Sequence, residues 1–175
     1  MILRPFLPST RADRAPFLVT LAACLAALML ASAAPVSRAQ SGPIEDLSTF
    51  PRATLEIHAR SGIHRFAVWV ADTENRQTQG LMFVRDLPQD EGMLFTKCCS
   101  GIWMRNTYIE LDIVFIGPRH RIVKIAERAK PFDLTTISAG QPVSDVVELK
   151  GGTASELGLM VGDRVDWQMT GQPAS

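Results

Sequence analysis

Ile113-Val114-Phe115-Ile116 is the stretch that most narrows what this chain can fold into. Successive side chains of a strand point to opposite faces. Ile113 and Phe115 therefore share one face, Val114 and Ile116 the other, and both faces are apolar. A strand of that kind is a central one, covered on both sides. It belongs to residues 92–117, the densest apolar segment beyond the N-terminus. That segment also carries polar groups where a plain core would not: Arg105, Asn106, Asp112 and the neighbouring Cys98 and Cys99.

Short alternating runs surround this strand. Residues 54–59 and 63–71 read as a β-hairpin. A two-residue loop at Ser61-Gly62 sets Ile57 opposite Phe66 and Leu55 opposite Val68, giving one apolar face; a three-residue loop would set Glu56 opposite Phe66. Register follows the apolar face, so the shorter loop is expected, with His58 facing Arg65 on a solvated surface. Asp72 or Thr73 caps a short helix over residues 74–79, stopped by Gly80. Strands follow at 93–95, 102–105 and 111–117, and Pro118-Arg119-His120 turns the chain into another at 121–129. Residues 130–142 are loop with an edge strand, and 143–150 are a strand. Thr153-Ala154-Ser155-Glu156 reads as a capping box, opening a helix that ends near Gly158. The last strand is 164–169. Seven or more short strands and only two brief helices indicate a mainly β fold: a compact antiparallel β-sandwich or barrel-like single domain. No long helix offers a parallel crossover.

Residues 1–39 read as a secretory signal peptide: arginines first, an apolar run over 15–30, then small residues. Cleavage frames exist after Ala33 and after Ala39, the second preferred. An uncleaved membrane anchor is an alternative, although the run is short for a span of about 20 apolar residues. A lipoprotein box ending at Cys24 is another, and would leave residues 25–34 as a greasy tail. Residues 40–52 form a linker, 53–169 a single β-rich domain and 170–175 a C-terminal tail. Removing residues 1–39 takes away four arginines and one aspartate, leaving 14 basic and 17 acidic residues. No basic patch of the nucleic-acid kind remains, and no membrane span is left after cleavage. Localisation is then exported and periplasmic, where the only remaining cysteines, Cys98 and Cys99, meet an oxidising compartment.

No G-x-S-x-G elbow, H-E-x-x-H motif, phosphate loop, dinucleotide fingerprint or paired C-x-x-C set occurs. No metal and no cofactor is expected. Asp112 opens the central strand, and a buried carboxylate costs free energy unless it is paired or hydrogen-bonded. Arg105 or Asn106 is the expected partner, in a small polar pocket walled by Trp103 or Met104. The competing expectation is that Asp112 and Asn106 bond the backbone of their own turn, 106–110, as such residues do. Adjacent Cys98 and Cys99 either form a vicinal disulfide or remain thiols. Strained disulfides are the more reducible ones, so a redox role and a plain turn role are the two expectations.

Ala71-Asp72-Thr73, Gly80-Leu81-Met82-Phe83, Arg85, Leu87-Pro88, Glu91-Gly92-Met93-Leu94-Phe95, Trp103-Met104-Arg105-Asn106-Thr107, Leu111-Asp112-Ile113, Val147-Glu148-Leu149 and Gly162-Asp163 resemble the domain-of-unknown-function 192 family, over about residues 53–169. The resemblance implies a β-sandwich-like fold in small exported proteins, and no established activity. Ile102 and Arg105 stand where the family pattern has an aromatic and a lysine. Arginine keeps the charge but brings a planar fork. The pattern does not call for cysteines at 98 and 99.

Two functions follow. The first is a non-catalytic module of the cell envelope that binds an unknown small ligand or an envelope protein, through Trp103, Met104, Arg105, Asn106 and Asp112. The second is a small enzyme with Asp112 or Glu91 as general base and Arg105 binding an anion.

Overall fold

The computed structural model describes residues 42–99 and 101–170. The expected signal peptide, its cleavage frames, Cys24 and residues 171–175 of the tail lie outside the described residues. The chain forms strands β1 (Arg52–Ala59), β2 (Gly62–Ala71), β3 (Glu91–Phe95), β4 (Gly101–Ile102), β5 (Leu111–Gly117), β6 (Arg121–Ala129), β7 (Ile137–Ser138), β8 (Asp145–Lys150) and β9 (Arg164–Met169). Two short helices join them, α1 (Glu74–Gln79) and α2 (Thr153–Leu157). Seven strands close a barrel in the order β1-β2-β3-β8-β5-β6-β9, and β4 pairs with β7 in a separate ribbon. Among the described residues no helix is long and apolar enough to cross a membrane.

Strand pairs are antiparallel except β2 with β3, which run parallel from Ala67 opposite Glu91 to Ala71 opposite Phe95. The expectation of no parallel pair is thereby corrected. A parallel connection needs a dozen or more residues but no long helix. Residues 72–90 supply that length, and α1 accounts for only part of it. Thr73 caps α1 through its side chain and Gly80 ends it at φ 51°, both at the positions read from sequence.

Alternation sorts the core into two layers. Leu55, Phe66, Leu94, Val114, Val147 and Val165 fill the barrel, with Ala154 and Leu159 from the α2 region packed on them. Met93, Phe95, Ile113, Phe115 and Val146 face outward and are covered by Leu81, Leu87, Ile102 and Met104. This outer layer explains why β5 is apolar on both faces. Each such side chain removed from water contributes about 1.5–3 kcal/mol.

The first hairpin has a two-residue loop, but its register differs from the expected one. Ala59 pairs with Gly62 and Leu55 with Phe66, so Arg60-Ser61 is the loop and Ile57 faces His64. A slip of two residues leaves every side chain on its original face, so the apolar pattern does not choose between the two registers. The observed one sets Glu56 opposite Arg65, with Arg65 Nε 2.8 Å from the Glu56 carboxylate. His58 faces Ile63 instead of Arg65 and lies 3.2 Å from the Asp166 carboxylate. The expected strand over 102–105 shrinks to Gly101–Ile102, because the Met104 N–H donates to the Asp133 carbonyl of a loop.

Candidate functional site

β8 turns Val147 and Leu149 into the barrel and Val146 and Glu148 outward. Facing outward would normally mean solvent. Here the outer layer covers the sheet, so Glu148 is only 4 % exposed. It lies beside Met93 of β3 and Ile113 of β5. The Leu81 N–H donates to Glu148 Oε2 at 3.3 Å, and no other described donor reaches the carboxyl. Burial pushes its pKa from the ordinary 4.5 to about 7, and the Leu81 N–H draws it partly back. Gly80 packs against both Glu148 and Phe95 at a positive φ of 51°. A Cβ there would lie 3.4 Å from Glu148 Oε2 and 3.1 Å from the Phe95 ring.

Above Glu148 opens a cleft of about 260 Å³. Phe95, Leu81, Met82 and Ile102 give it an apolar lining, Gln77 and Thr107 add polar side chains, and Glu74 and Trp103 stand at its rim. Trp103 is 44 % exposed, and the Arg105 guanidinium sits 5.7 Å from the Trp103 ring centre. Cys98 and Cys99 are joined by a disulfide. Cys99 lines the cleft, and the Cys98 N–H donates to the Ser144 carbonyl. Among the described residues no Lys, Arg or His lines the cleft, and no group of three His, Cys, Asp or Glu is placed to hold a metal.

The residues expected to share a pocket are dispersed. Trp103 lines the cleft, while Met104 is fully buried in the outer core layer. Arg105 is exposed. Asn106 adopts φ 54°, its carbonyl accepts from the Phe83 N–H, and its amide Nδ2 approaches the Met82 sulfur at 3.9 Å. Asp112 is on the opposite face of the sheet, in register with Leu149 while its neighbour Ile113 is in register with Glu148. Its partners are neither Arg105, nor Asn106, nor its own turn. Asp112 Oδ1 accepts from the N–H groups of Arg128 (2.8 Å) and Gly152 (3.0 Å), and Oδ2 accepts from the Ala154 N–H (2.7 Å). The carboxylate thus links β5 to a bulge in β6 and caps α2 from across the fold. That replaces the expected capping box. The N-cap position belongs to Gly152 at φ 95°, without a side-chain cap, and the Thr153 hydroxyl accepts instead from Gln89. Glu91 is half-buried, ion-paired with Arg52 at 3.3 Å, and outside the cleft. Neither Asp112 nor Glu91 therefore stands where a general base would meet a ligand in this cleft.

Glu148 itself is not among the sequence candidates for the site. In Val146-Val147-Glu148-Leu149-Lys150 the polar residues share one face, which reads as a solvated side. Only the covering layer makes it an interior one.

The chain matches the family model of uncharacterized ACR proteins, DUF192, over residues 55–167. A crystal structure of a protein of unknown function from Novosphingobium aromaticivorans DSM 12444 is similar, with 37 % identity and a TM-score of 0.67, over 74 % of this chain and 94 % of that one. A second, from Sinorhizobium meliloti 1021, carries a name that proposes transcription regulation. It is 34 % identical with a TM-score of 0.64, over 67 % of this chain and 95 % of that one. No curated protein matches.

Proposed function

We propose that this chain, which belongs to the DUF192 family, is a small-ligand-binding module of the cell envelope, with the cleft over Glu148 as its binding site. The observation that carries this reading is a carboxylate buried at the base of a cleft of about 260 Å³ with Trp103 at the rim. Pockets that hold small molecules are largely apolar, with a few convergent polar groups. A buried ionisable side chain with one long hydrogen bond is costly unless something further engages it. Export rests on residues 1–39, whose charged start, apolar run and small-residue end have the order of a secretory signal. The mass of the protein recovered from its native compartment tests that part, with loss of about 39 residues expected.

The binding reading is tested by fragment screening followed by amide-resolved NMR. Hits should move the resonances of Gly80, Leu81 and Glu148, and Trp103→Ala should weaken them without unfolding the domain, since Trp103 is 44 % exposed. Hits that map only to the Glu56, Asp166 and Trp167 face of the barrel would refute it.

A second reading, general acid–base catalysis, is favoured by the burial of Glu148 with a single N–H donor, which pushes its pKa up to about 7, the range in which proton transfer is most effective. It differs from binding alone in requiring turnover of a cleft-bound compound that Glu148→Gln abolishes. The transcription-related name of the Sinorhizobium meliloti protein finds no support in a mature chain with more acidic than basic residues.

A further inference from the structure

Resting on the binding site proposed above, we infer that its ligand is a small organic cation, a primary ammonium on a short apolar stem, ion-paired to Glu148 with its stem against Trp103 and Met82. The polarity of the cleft is one-sided. Two carboxylates line it, Glu148 at the base and Glu74 at the rim, and no cationic side chain does so among the described residues. Its amides direct their N–H groups elsewhere: Gln77 Nε2 donates to the Ala71 and Thr96 carbonyls, and Gln79 Nε2 to the Glu45 carbonyl. The side-chain donors left are the second Gln79 amide N–H, the Thr78 hydroxyl and the Trp103 indole N–H. The acceptors that remain include Glu148 Oε1 and the Gln77 amide oxygen, neither of which takes a hydrogen bond from a described residue. With both lining charges negative and Glu148 Oε1 unfilled at the base, the cleft selects a cationic ligand that donates.

Charge and shape narrow the class. A carboxylate offers about four lone-pair sites, and Glu148 has one of them engaged, on Oε2. A guanidinium prefers both oxygens in a fork, whereas an ammonium is a compact point charge that one free oxygen serves. Aromatic faces and thioethers accommodate a cation and its stem. Trp103 shows this already at its rim position, holding the Arg105 guanidinium 5.7 Å from its ring centre. A volume of about 260 Å³ suits a compound of a few carbons rather than a polymer.

The pairing is pH-dependent, because protonated Glu148 cannot pair with an ammonium. Among the described groups of the cleft Glu148 is the buried carboxyl and Glu74 the exposed one. Glu74 contributes from α1; Leu81 and Met82 contribute no charge, nor do Met93 and Phe95 of β3 or Ile113 of β5; Cys99 is in a disulfide. Outside the lining stands Arg105, exposed over Trp103, and Arg76 is committed to Glu45 and Asp72.

The test titrates the purified protein with n-butylammonium and with its neutral counterpart 1-butanol, following backbone amides by NMR at pH 8 and pH 5. We expect n-butylammonium to move Gly80, Leu81 and Glu148 and to bind at least tenfold more tightly than 1-butanol at pH 8. That preference should fall toward parity at pH 5 and vanish in Glu148→Gln, a substitution of nearly equal volume. Equal binding of the two probes in this cleft, or an ammonium preference that Glu148→Gln and pH leave intact, overturns the cation assignment while leaving the cleft a binding site. No response of these amides to either probe overturns both.

Discussion

Replacing Glu148 with glutamine should change how stability depends on pH, and the size of the change follows from the structure. At pH 4 the Glu148 carboxyl is protonated in the folded chain and mostly so in the unfolded one. Raising the pH ionises it in the unfolded chain near 4.5, while burial keeps the folded form protonated up to about 7. Across that window the folded state binds the extra proton, so stability falls as pH rises. At 1.36 kcal/mol for each pH unit between the two values, the loss approaches about 3 kcal/mol and is complete above pH 7. The glutamine side chain of the Glu148→Gln variant carries no such proton, and its amide oxygen can still accept the Leu81 N–H. The difference in unfolding free energy, variant minus wild type, should therefore rise by about 3 kcal/mol between pH 4 and pH 8. Urea unfolding of both proteins at half-unit pH steps, followed by tryptophan fluorescence without ligand, measures it. Other titrating groups are shared and cancel in the difference. A difference that stays flat to within about 0.5 kcal/mol would refute the claim that burial in the outer layer perturbs this carboxyl, since surface substitutions away from such features move stability by no more than that.

Two substitutions probe the frame around the cleft. Asp112→Ala strips three backbone N–H groups of their acceptor and should cost about 3–5 kcal/mol in urea unfolding, given about 1–3 kcal/mol for each buried group left unsatisfied and incomplete additivity; a loss under about 1 kcal/mol would mean that α2 and the β6 bulge do not depend on this carboxylate. Gly92→Ala places a Cβ 2.5 Å from the Glu148 carbonyl oxygen and 2.9 Å from Leu149 Cδ2, so it should destabilise by about 2–3 kcal/mol through overpacking against backbone, read as a lowered unfolding temperature.

Local signals in this chain are legible and remote ones are not. The α1 cap and stop at Thr73 and Gly80, the β5–β6 hairpin and the two-sided β5 all follow from adjacent residues and appear where expected. The β1–β2 register differs by two because that slip preserves faces, and what distinguishes it, the Glu56–Arg65 pair and Asp166 on β9, includes a residue over 100 positions away. The parallel β2–β3 pair is hidden because loop, not helix, makes most of the crossover. The site divides the same way. Trp103 stands out as a large aromatic near polar groups and does line the cleft. Asp112 stands out as a carboxylate in an apolar run, but its hydrogen-bond partners are 16, 40 and 42 residues distant, so proximity in sequence to Arg105 and Asn106 misleads. Glu148 looks ordinary because alternation specifies a face and not what covers it.

The barrel is completed by its first and last strands. β1 pairs with β9 along Ala53–Met169 to His58–Arg164, and the Thr170 N–H reaches the Arg52 carbonyl at 2.8 Å, whereas β6 and β9 meet at one residue pair only. A growing chain therefore carries an open sheet edge until its final strand is made, and contacts so far apart in sequence form slowly. An unpaired edge invites pairing with other chains, and β1 keeps such an edge until β9 arrives. The same adjacency makes the ends of the domain joinable by a short linker, in a permuted chain opened at the exposed Arg60-Ser61 turn.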